Sequence, residues 1–343
     1  MRGRRGNALI TIAVAALLVA CTPATTPVPS PTPSPPAPSP PTPSSLSVTP
    51  TGPPTTVDSS HASPPVRPVV AVRVGIRAAG AGSHVVILIH GGPGLAGNYL
   101  FSAFRSMAGP SLRVVSYDQR GVGLTPDDGH GDYRFAAMVA DLEALRVRLH
   151  ADRIDLVGHA WGAMLAAAYT AAHPDRVERL VSLDGSPLDP GERLAGVTRM
   201  GNHIADLQKA GLIPNPLPDI SNCVAGDTSI APAFLANPRT PRHAAADQMG
   251  SVCSTAVGVA IVQIVNEGTD ELHSIAEALT SWHGRALVIQ GAADAFGLPW
   301  LHADASQYPA AQVSTLVVPA AGHLVWQEDP PIVNTIRDFL TRN

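Results

Sequence analysis

The stretch Ile154-Asp155-Leu156-Val157-Gly158-His159-Ala160-Trp161-Gly162 reads as a short apolar strand running into a turn between two glycines. An Ala-rich helix is expected directly after it, from Met164 to Ala172. Upstream, His84-Val85-Val86-Ile87-Leu88-Ile89 is a near-continuous apolar run that ends in His90-Gly91-Gly92-Pro93-Gly94. Leu112 to Tyr117 is another, ending in Asp118-Gln119-Arg120-Gly121. Runs of this kind suit strands buried on both faces of a parallel sheet. Val69 to Ile76 is a β-branched run and the expected first strand. Phe135 to His150 has helical spacing, and Val177 to Leu183 is the fourth readable strand. From Ser186 to Ser281 the pattern is irregular and helix-like. It then resumes with Arg285 to Gln290, Val313 to Val318 and a closing helix from Pro331 to Leu340. Alternation at this spacing predicts an α/β chain with a parallel sheet and helices on both faces.

The chain has 343 residues, of which 45% are hydrophobic, and 23 Lys+Arg stand against 27 Asp+Glu. That is enough for one large domain or two ordinary ones. It excludes a disulfide mini-protein and a wholly disordered chain. A net charge of −4 argues against a nucleic-acid partner, which calls for a basic face.

The first residues read as an address. Arg2, Arg4 and Arg5 precede an apolar run from Ala8 to Ala20, too short for a comfortable membrane span but suited to a signal peptide. The run ends in Leu18-Val19-Ala20-Cys21, which resembles a bacterial lipobox and implies cleavage before Cys21 and a lipid on its sulfur. An ordinary signal peptide with an incidental Cys is the alternative. Thr22 to Val57 contains no charged residue and is dominated by Pro, Ser and Thr. Such a stretch buries no core and favours extended polyproline II, so residues 22–68 are expected to be a semi-rigid tether. With the signal removed, 20 basic side chains face 27 acidic ones, so acyl chains and not charge would hold the protein at a membrane. The expected location is extracytoplasmic, on the cell membrane.

Five motifs in order carry a family resemblance: His90-Gly91-Gly92-Pro93-Gly94; Asp118-Gln119-Arg120-Gly121 with Gly123; Gly158-x-x-x-Gly162; Asp294 after a strand; and Gly322-His323. Together they resemble the α/β-hydrolase fold, and within it the proline iminopeptidase-like branch, over roughly residues 69–343. The resemblance implies a mostly parallel, doubly wound sheet. It places a core at 69–185 and 282–343 and a helical cap at 186–281, inserted after the fourth readable strand. It assigns Gly91, Gly92 and the N–H of Trp161 to an oxyanion hole, Asp294 to the triad acid and His323 to the general base. Asp184, at an earlier strand end, is a second candidate for the acid, and Asp270 and Glu271 fit less well. Asp118 and Arg120 are expected to brace their loop, not to react.

The nucleophile is the departure. Where the family carries Gly-x-Ser-x-Gly, this chain reads Gly158-His159-Ala160-Trp161-Gly162, and a methyl group cannot attack a carbonyl. Three readings of Ala160 stand: a protein that keeps the pocket only to bind, an enzyme in which Asp294 and His323 activate water without a covalent intermediate, or an engineered Ser→Ala trap; an envelope interaction protein that does not use the pocket is a further alternative. Ser186 and Ser221 are available as displaced nucleophiles.

Within the expected cap, Cys223 and Cys253 are the pair that remains once Cys21 is lipidated, and a disulfide is the natural reading; two buried thiols are the alternative. A bridge over about 30 residues would contribute on the order of 3–4 kcal/mol by the chain-entropy model. Asp206, Asp219, Asp227, Asp247 and Glu267 are the cap carboxylates that could meet a substrate amine, as such groups do in proline iminopeptidases; no motif selects among them. The reading as a whole is of a monomeric protein that holds a small-molecule or peptide ligand under the cap, with no cofactor and no metal.

Overall fold

The computed structural model describes residues 68–127, 129, 131–218, 222–240 and 249–342. The signal peptide, Cys21 and nearly all of the expected tether lie outside the described residues.

Seven strands form one sheet: β1 (Ile76–Ala79), β2 (His84–Ile89), β3 (Leu112–Tyr117), β4 (Ile154–His159), β5 (Val177–Leu183), β6 (Arg285–Gly291) and β7 (Gln312–Val318). Their spatial order is β1-β3-β2-β4-β5-β6-β7. Every neighbouring pair is parallel except β1 on β3, where Ile76 faces Tyr117. Among the helices are α1 (Asn98–Phe104), α2 (Phe135–Arg148), α3 (Trp161–Ala172), α4 (Pro190–Lys209), α5 (Cys223–Ile230), α6 (Thr255–Glu267), α7 (Thr269–Ala278), α8 (Leu298–Ser306), α9 (Val325–Glu328) and α10 (Ile332–Thr341).

Strand periodicity explains the two helical layers. Successive side chains of a strand point to opposite faces. Val85, Ile87 and Ile89 of β2 join a buried cluster with Leu142 of α2 and Leu165 and Tyr169 of α3. Val86 and Leu88 join the other, with Leu100 and Phe104 of α1 and Ile336 and Leu340 of α10. Covering both faces requires near-continuous apolar strands, which is what the sequence of β2 to β6 offers.

The first strand differs from expectation: Val69 to Gly75 is not a strand, and pairing begins at Ile76. The backbone groups of this segment are satisfied elsewhere. The Val72 N–H donates to Asp141 Oδ1 at 2.6 Å, and the Gly75 N–H donates to Thr125 Oγ1 at 2.9 Å. The Gly75 carbonyl accepts from the Asp118 N–H at 3.0 Å. With side-chain partners in place, no ladder is needed.

The Asp118-Gln119-Arg120-Gly121 loop is a brace. Asp118 Oδ1 accepts from Arg77 Nη1 and from the Gly97 N–H, both at 2.7 Å, and Oδ2 accepts from the Leu124 N–H at 2.7 Å. Burial would raise this carboxyl, but the Arg77 guanidinium and the two backbone N–H groups outweigh it and hold the group below the usual carboxylate range. Arg120 grips Asp141 of α2 through Nε at 2.8 Å and Nη2 at 2.7 Å.

Between β5 and β6 the chain builds a helical insertion that forms one compact unit with the sheet. Asp189 caps α4 by accepting from the Glu192 N–H at 2.6 Å, ahead of Pro190 in the first turn. Ser254 caps α6. Leu272 of α7 and Leu279 just beyond it join the cluster of Leu165 and Tyr169, so the end of the insertion packs with the core helices.

Arg120→Ala strands Asp141 in a dry site, which typically costs about 3–5 kcal/mol. We expect the midpoint of urea unfolding to fall accordingly, whereas Arg153→Ala, which removes an exposed contact to Glu178 at 3.8 Å, changes stability by about 0.5 kcal/mol or less.

Candidate active site

The turn after β4 is strained. Ala160 sits at φ 50°, ψ −119°, a region that L-residues other than glycine rarely adopt. The flanking glycines are there because nothing larger fits. A Cβ on Gly162 would lie 2.1 Å from the Ile89 carbonyl oxygen, and one on Gly158 would lie 2.5 Å from the Ala163 Cα. The peptide groups of Ala160 hold the turn in place: its N–H donates to Leu183 O at 3.1 Å, and its carbonyl accepts from the Ala163 and Ser186 N–H groups, both at 3.0 Å.

Ala160, Trp161, Gly92 and His323 meet at one cavity of about 210 Å³. His323 Nδ1 lies 2.9 Å from Asp294 Oδ2. A carboxylate can only accept there, so Nδ1 carries the proton and Nε2 is left as the basic nitrogen. His323 is 4% exposed, and no partner for Nε2 exists among the described residues. Its own N–H donates to Phe234 O in the insertion at 2.8 Å, and its ring lies between Phe234 and Phe296. Asp294 Oδ1 accepts from the Phe296 N–H at 3.0 Å.

Asp184 makes no hydrogen bond to His323. Its Oδ1 accepts from the Gly291 N–H at 2.9 Å, and its Oδ2 has no hydrogen-bond partner among the described residues. One ligand atom each of Asp184, Asp294 and His323 lie within 4.8 Å of one another, the one such trio among the described residues with the donor set for a cation. Burial, and then the Asp294 charge, push the Asp184 carboxyl well above the usual range. Asp184 is therefore the member of the pair held toward its neutral form. Asp270 and Glu271 lie in the first turn of α7, away from the cavity lining.

The oxyanion assignment needs one correction. The Gly91 N–H donates to the Tyr99 hydroxyl at 2.7 Å, so it does not point into the cavity. That hydroxyl lies 2.8 Å from His159 Nδ1, and His159 Nε2 lies 3.2 Å from the His323 carbonyl. A carbonyl only accepts, so His159 Nε2 carries the proton, Nδ1 accepts, and Tyr99 donates to it. Burial, and then the His323 charge, hold His159 well below the usual histidine range, so it stays neutral. Gly92 and Trp161 both line the cavity, and their N–H groups have no acceptor among the described residues. They are the donor pair the geometry offers.

Two further residues escaped the sequence reading. Gln119 donates its backbone N–H to His90 Nε2 at 2.9 Å and its side-chain amide to His90 O at 2.9 Å, while its Oε1 accepts from Trp161 Nε1 at 2.9 Å. Tyr99 links the glycine loop to His159. Gln119 lies in the Asp118-Gln119-Arg120-Gly121 motif without a role of its own there, and Tyr99 bears no motif; only the contact partners reveal them.

The insertion is stitched to the same loop. Cys223 and Cys253 form a disulfide. Cys253 bridges Leu95, the Ala96 N–H donates to Val252 O at 2.9 Å, and the Ser254 N–H donates to Gly94 O at 2.7 Å. A Cβ on Gly94 would meet Ser254 O at 2.5 Å, so only glycine lets α6 approach this closely. Of the insertion carboxylates, Asp206 is exposed and pairs with Lys209 at 2.7 Å, and Glu267 accepts from Gln263 on the surface. Asp219, Asp247 and Ser221 lie outside the described residues. Asp227 alone among the described candidates lines the cavity, half-buried, and burial raises its carboxyl to about 6. Ser186 lines the cavity as well.

Residues 84–202 match the model of the alpha/beta hydrolase fold family. A proline iminopeptidase of Lactobacillus helveticus is 36% identical over 99 residues, covering 28% of this chain and 34% of the relative. One from Levilactobacillus brevis is 45% identical over 87 residues, covering 24% and 28%. The aligned part thus spans about a third of the length of these curated relatives. Among solved structures, a thermophilic esterase from Thermogutta terrifontis aligns with a TM-score of 0.57 at 23% identity, over 78% of this chain and 92% of that one. Proline iminopeptidase of Mycobacterium smegmatis aligns with a TM-score of 0.55 at 21% identity, over 80% and 96%. At such identities the likeness establishes the fold.

Ala160→Gly should stabilise the protein. Relief of a strained backbone returns about 1–3 kcal/mol, and the extra freedom of glycine in the unfolded chain takes back about 0.5–1 kcal/mol. The expected outcome is a higher melting temperature.

A pH effect follows from Asp304 of α8. Its buried carboxyl accepts from Ser182 and from Gln307, and burial raises it from 3.8 to about 7. The folded state therefore keeps a proton that the unfolded chain releases. Its contribution to stability is full below about pH 4 and is lost as pH rises through about 7. Thermal melts from pH 5 to 8 should fall in the native protein, and Asp304→Asn should flatten that slope.

Proposed function

Starting from a chain that has the α/β-hydrolase fold and resembles the proline iminopeptidases, we propose an exported protein that holds an acyl compound without forming an acyl-enzyme. The observation that carries this reading is a methyl group at the strained turn, in a cavity that His323, Gly92 and Trp161 share. The fold presents a base, an acid and an oxyanion pair to position 160, and position 160 has no oxygen to use.

Ancestrally the site would have cleaved a peptide or ester through a serine. Loss of a triad nucleophile typically costs about 10⁶ in rate and leaves about 10³–10⁴ over water. What remains is general base catalysis by His323 on a water, worth about 10²–10⁴. The present protein is thus a binder first, and a His323-dependent, non-covalent hydrolase of activated esters at most. Asp227, the described insertion carboxylate on the cavity wall, fits a ligand with a cationic amine, such as the N-terminus of a peptide. Gly91 is left out of the oxyanion role because its N–H is spent on Tyr99.

The location is part of the same proposal. The apolar run ending at Cys21 supports a lipid anchor, and the uncharged Pro/Ser/Thr segment supports a tether between membrane and fold. The ligand under the insertion and the membrane are the proposed partners of a monomeric protein that binds no nucleic acid.

The test compares the native chain with Ala160→Ser on aryl esters and N-terminal-Pro amides. We expect turnover at least about 10³-fold above the native chain in the Ser variant, lost again in Ala160→Ser/His323→Ala. Turnover by the native chain that His323→Ala abolishes would replace the binding reading with the non-covalent enzyme. No turnover in the Ser variant would overturn the claim that the rest of the machinery is intact.

A further inference from the structure

We infer that β7 is a docking edge, and that it pairs antiparallel with β7 of a second copy of this chain about a two-fold axis at Thr315. The two ends of the strand fix which backbone groups point outward. The Gln312 N–H donates to Gly284 O at 2.9 Å, and the Val318 carbonyl accepts from the Ala292 N–H at 2.9 Å. The register between these ends, from Arg285 opposite Gln312 to Gly291 opposite Val318, is unbroken. A strand residue turns its N–H and its C=O to the same side, and that side alternates along the chain. Gln312, Ser314, Leu316 and Val318 therefore face β6. Val313, Thr315 and Val317 turn both groups outward, where no strand follows β7 and no partner for them exists among the described residues.

An open edge invites pairing, and monomeric folds protect theirs with charge, proline, a bulge or short length. The other edge of this sheet is protected: β1 has four residues, and Arg77 is one of them. β7 has seven residues, with no charge, no proline and no shift of register. Most of it is exposed, and Val313 and Val317 are each 37% exposed. An edge left in this state has kept the means to pair.

The pattern of the strand selects a second copy as the occupant. With Thr315 opposite its own counterpart, Val313 of each copy lies opposite Val317 of the other. These are the outward-facing residues, so every such pair exchanges two backbone hydrogen bonds, and no register shifted along the strand makes as many. The side chains of one face then meet as Thr–Thr and Val–Val pairs, which stabilise a sheet. Charge points to the same place. Without its signal the chain carries 20 basic side chains against 27 acidic ones, so copies repel each other. No Asp, Glu, Lys or Arg occurs from Ala305 to Gly322, the stretch that holds β7. One strand pair is a small interface, and small interfaces are weak. The dilute chain is therefore the proposed monomer, and pairing belongs to copies anchored in one leaflet, where tethering raises their effective concentration. The pairing involves the sheet edge alone and does not depend on the chemistry at position 160.

The test is oxidative cross-linking of the full chain in the membranes that carry it, read on a non-reducing gel beside the native chain as the control for Cys21. Opposed residues of a hydrogen-bonded antiparallel pair lie about 5.5 Å apart at Cα, within the span of a disulfide. In this register the two copies of residue 313 lie four residues apart, about 13 Å, which no disulfide spans. Thr315→Cys should therefore give at least about tenfold more covalent dimer than Val313→Cys, which is as exposed and reports chance collisions. Adding Val313→Lys and Val317→Lys to Thr315→Cys sets like charges opposite each other at exposed positions and should abolish the dimer, with the circular dichroism spectrum unchanged. Equal cross-linking of the two single variants, no dimer from Thr315→Cys, a dimer that survives the lysines, or a cross-link to a different protein overturns the inference. The crowding rests on the proposed lipid anchor and fails separately from it. Recovery of the chain in the soluble fraction sinks the anchor, and the same cross-linking of the purified, concentrated chain then tests the edge alone.

Discussion

The backbone at Ala160 is the constraint on which the rest of the site depends. A positive φ at a residue with a Cβ costs on the order of 1–3 kcal/mol and persists only when the surroundings leave no alternative. Here β4 and α3 supply that compulsion. Gly158 and Gly162 allow the strand and the helix to close on each other and on the end of β2, at distances that admit no side chain. The carbonyl of Ala160 is held from two sides, and its N–H is tied to β5. Every group that could act on a ligand is placed relative to this turn: the Trp161 N–H by being next in the chain, Gly92 by following β2, and His323 by following β7.

Two buried relays then turn backbone geometry into side-chain orientation. One runs from His90 through Gln119 to the Trp161 indole. The other runs from the Gly91 N–H through Tyr99 and His159 to the His323 carbonyl. In each, the proton positions are forced by groups that can only donate or only accept, and a relay satisfied at every link resists rearrangement. The second explains why the two adjacent glycines differ. Gly91 is consumed in positioning, and Gly92 is left to face the cavity. The disulfide extends the same logic to the insertion: through Val252 to Ser254 it is bonded to Gly94 and Ala96, so the loop that carries Gly92 is held from both sides.

Much of this was legible in the sequence because it is local. Apolar runs reveal strands buried on both faces, and glycines at their ends mark close approach. The five strands β2 to β6 follow that rule, while β7, at the sheet edge, is a readable apolar run that stays largely exposed. Val69 to Gly75 breaks it, since a β-branched run says nothing about whether Asp141 and Thr125 will satisfy its backbone first. At the site, Asp294 and His323 were readable from their place after strands, and their hydrogen bond is present in the structure. Gly91 was misassigned because which of two neighbouring N–H groups faces a cavity depends on Tyr99, eight residues away. Gln119 and His159 were invisible as positioning residues for the same reason. Asp227 was one of five indistinguishable carboxylates until the tertiary structure put it on the cavity wall.

The electrostatics of the two acids complete the argument. Asp184 and Asp294 both lie close to His323, and two ionised carboxylates in that dry space would repel each other. Burial resolves the conflict by holding Asp184 toward its protonated form, while Asp294 accepts from the imidazole N–H. The buried set then carries one negative charge, and a proton on His323 neutralises it. In a serine hydrolase that proton arrives only in passing, when the nucleophile gives it up. With a methyl at position 160 that turn offers no such donor. A methyl at that place therefore leaves His323 Nε2, its ring fixed through Nδ1 by Asp294, facing a cavity and not a hydroxyl.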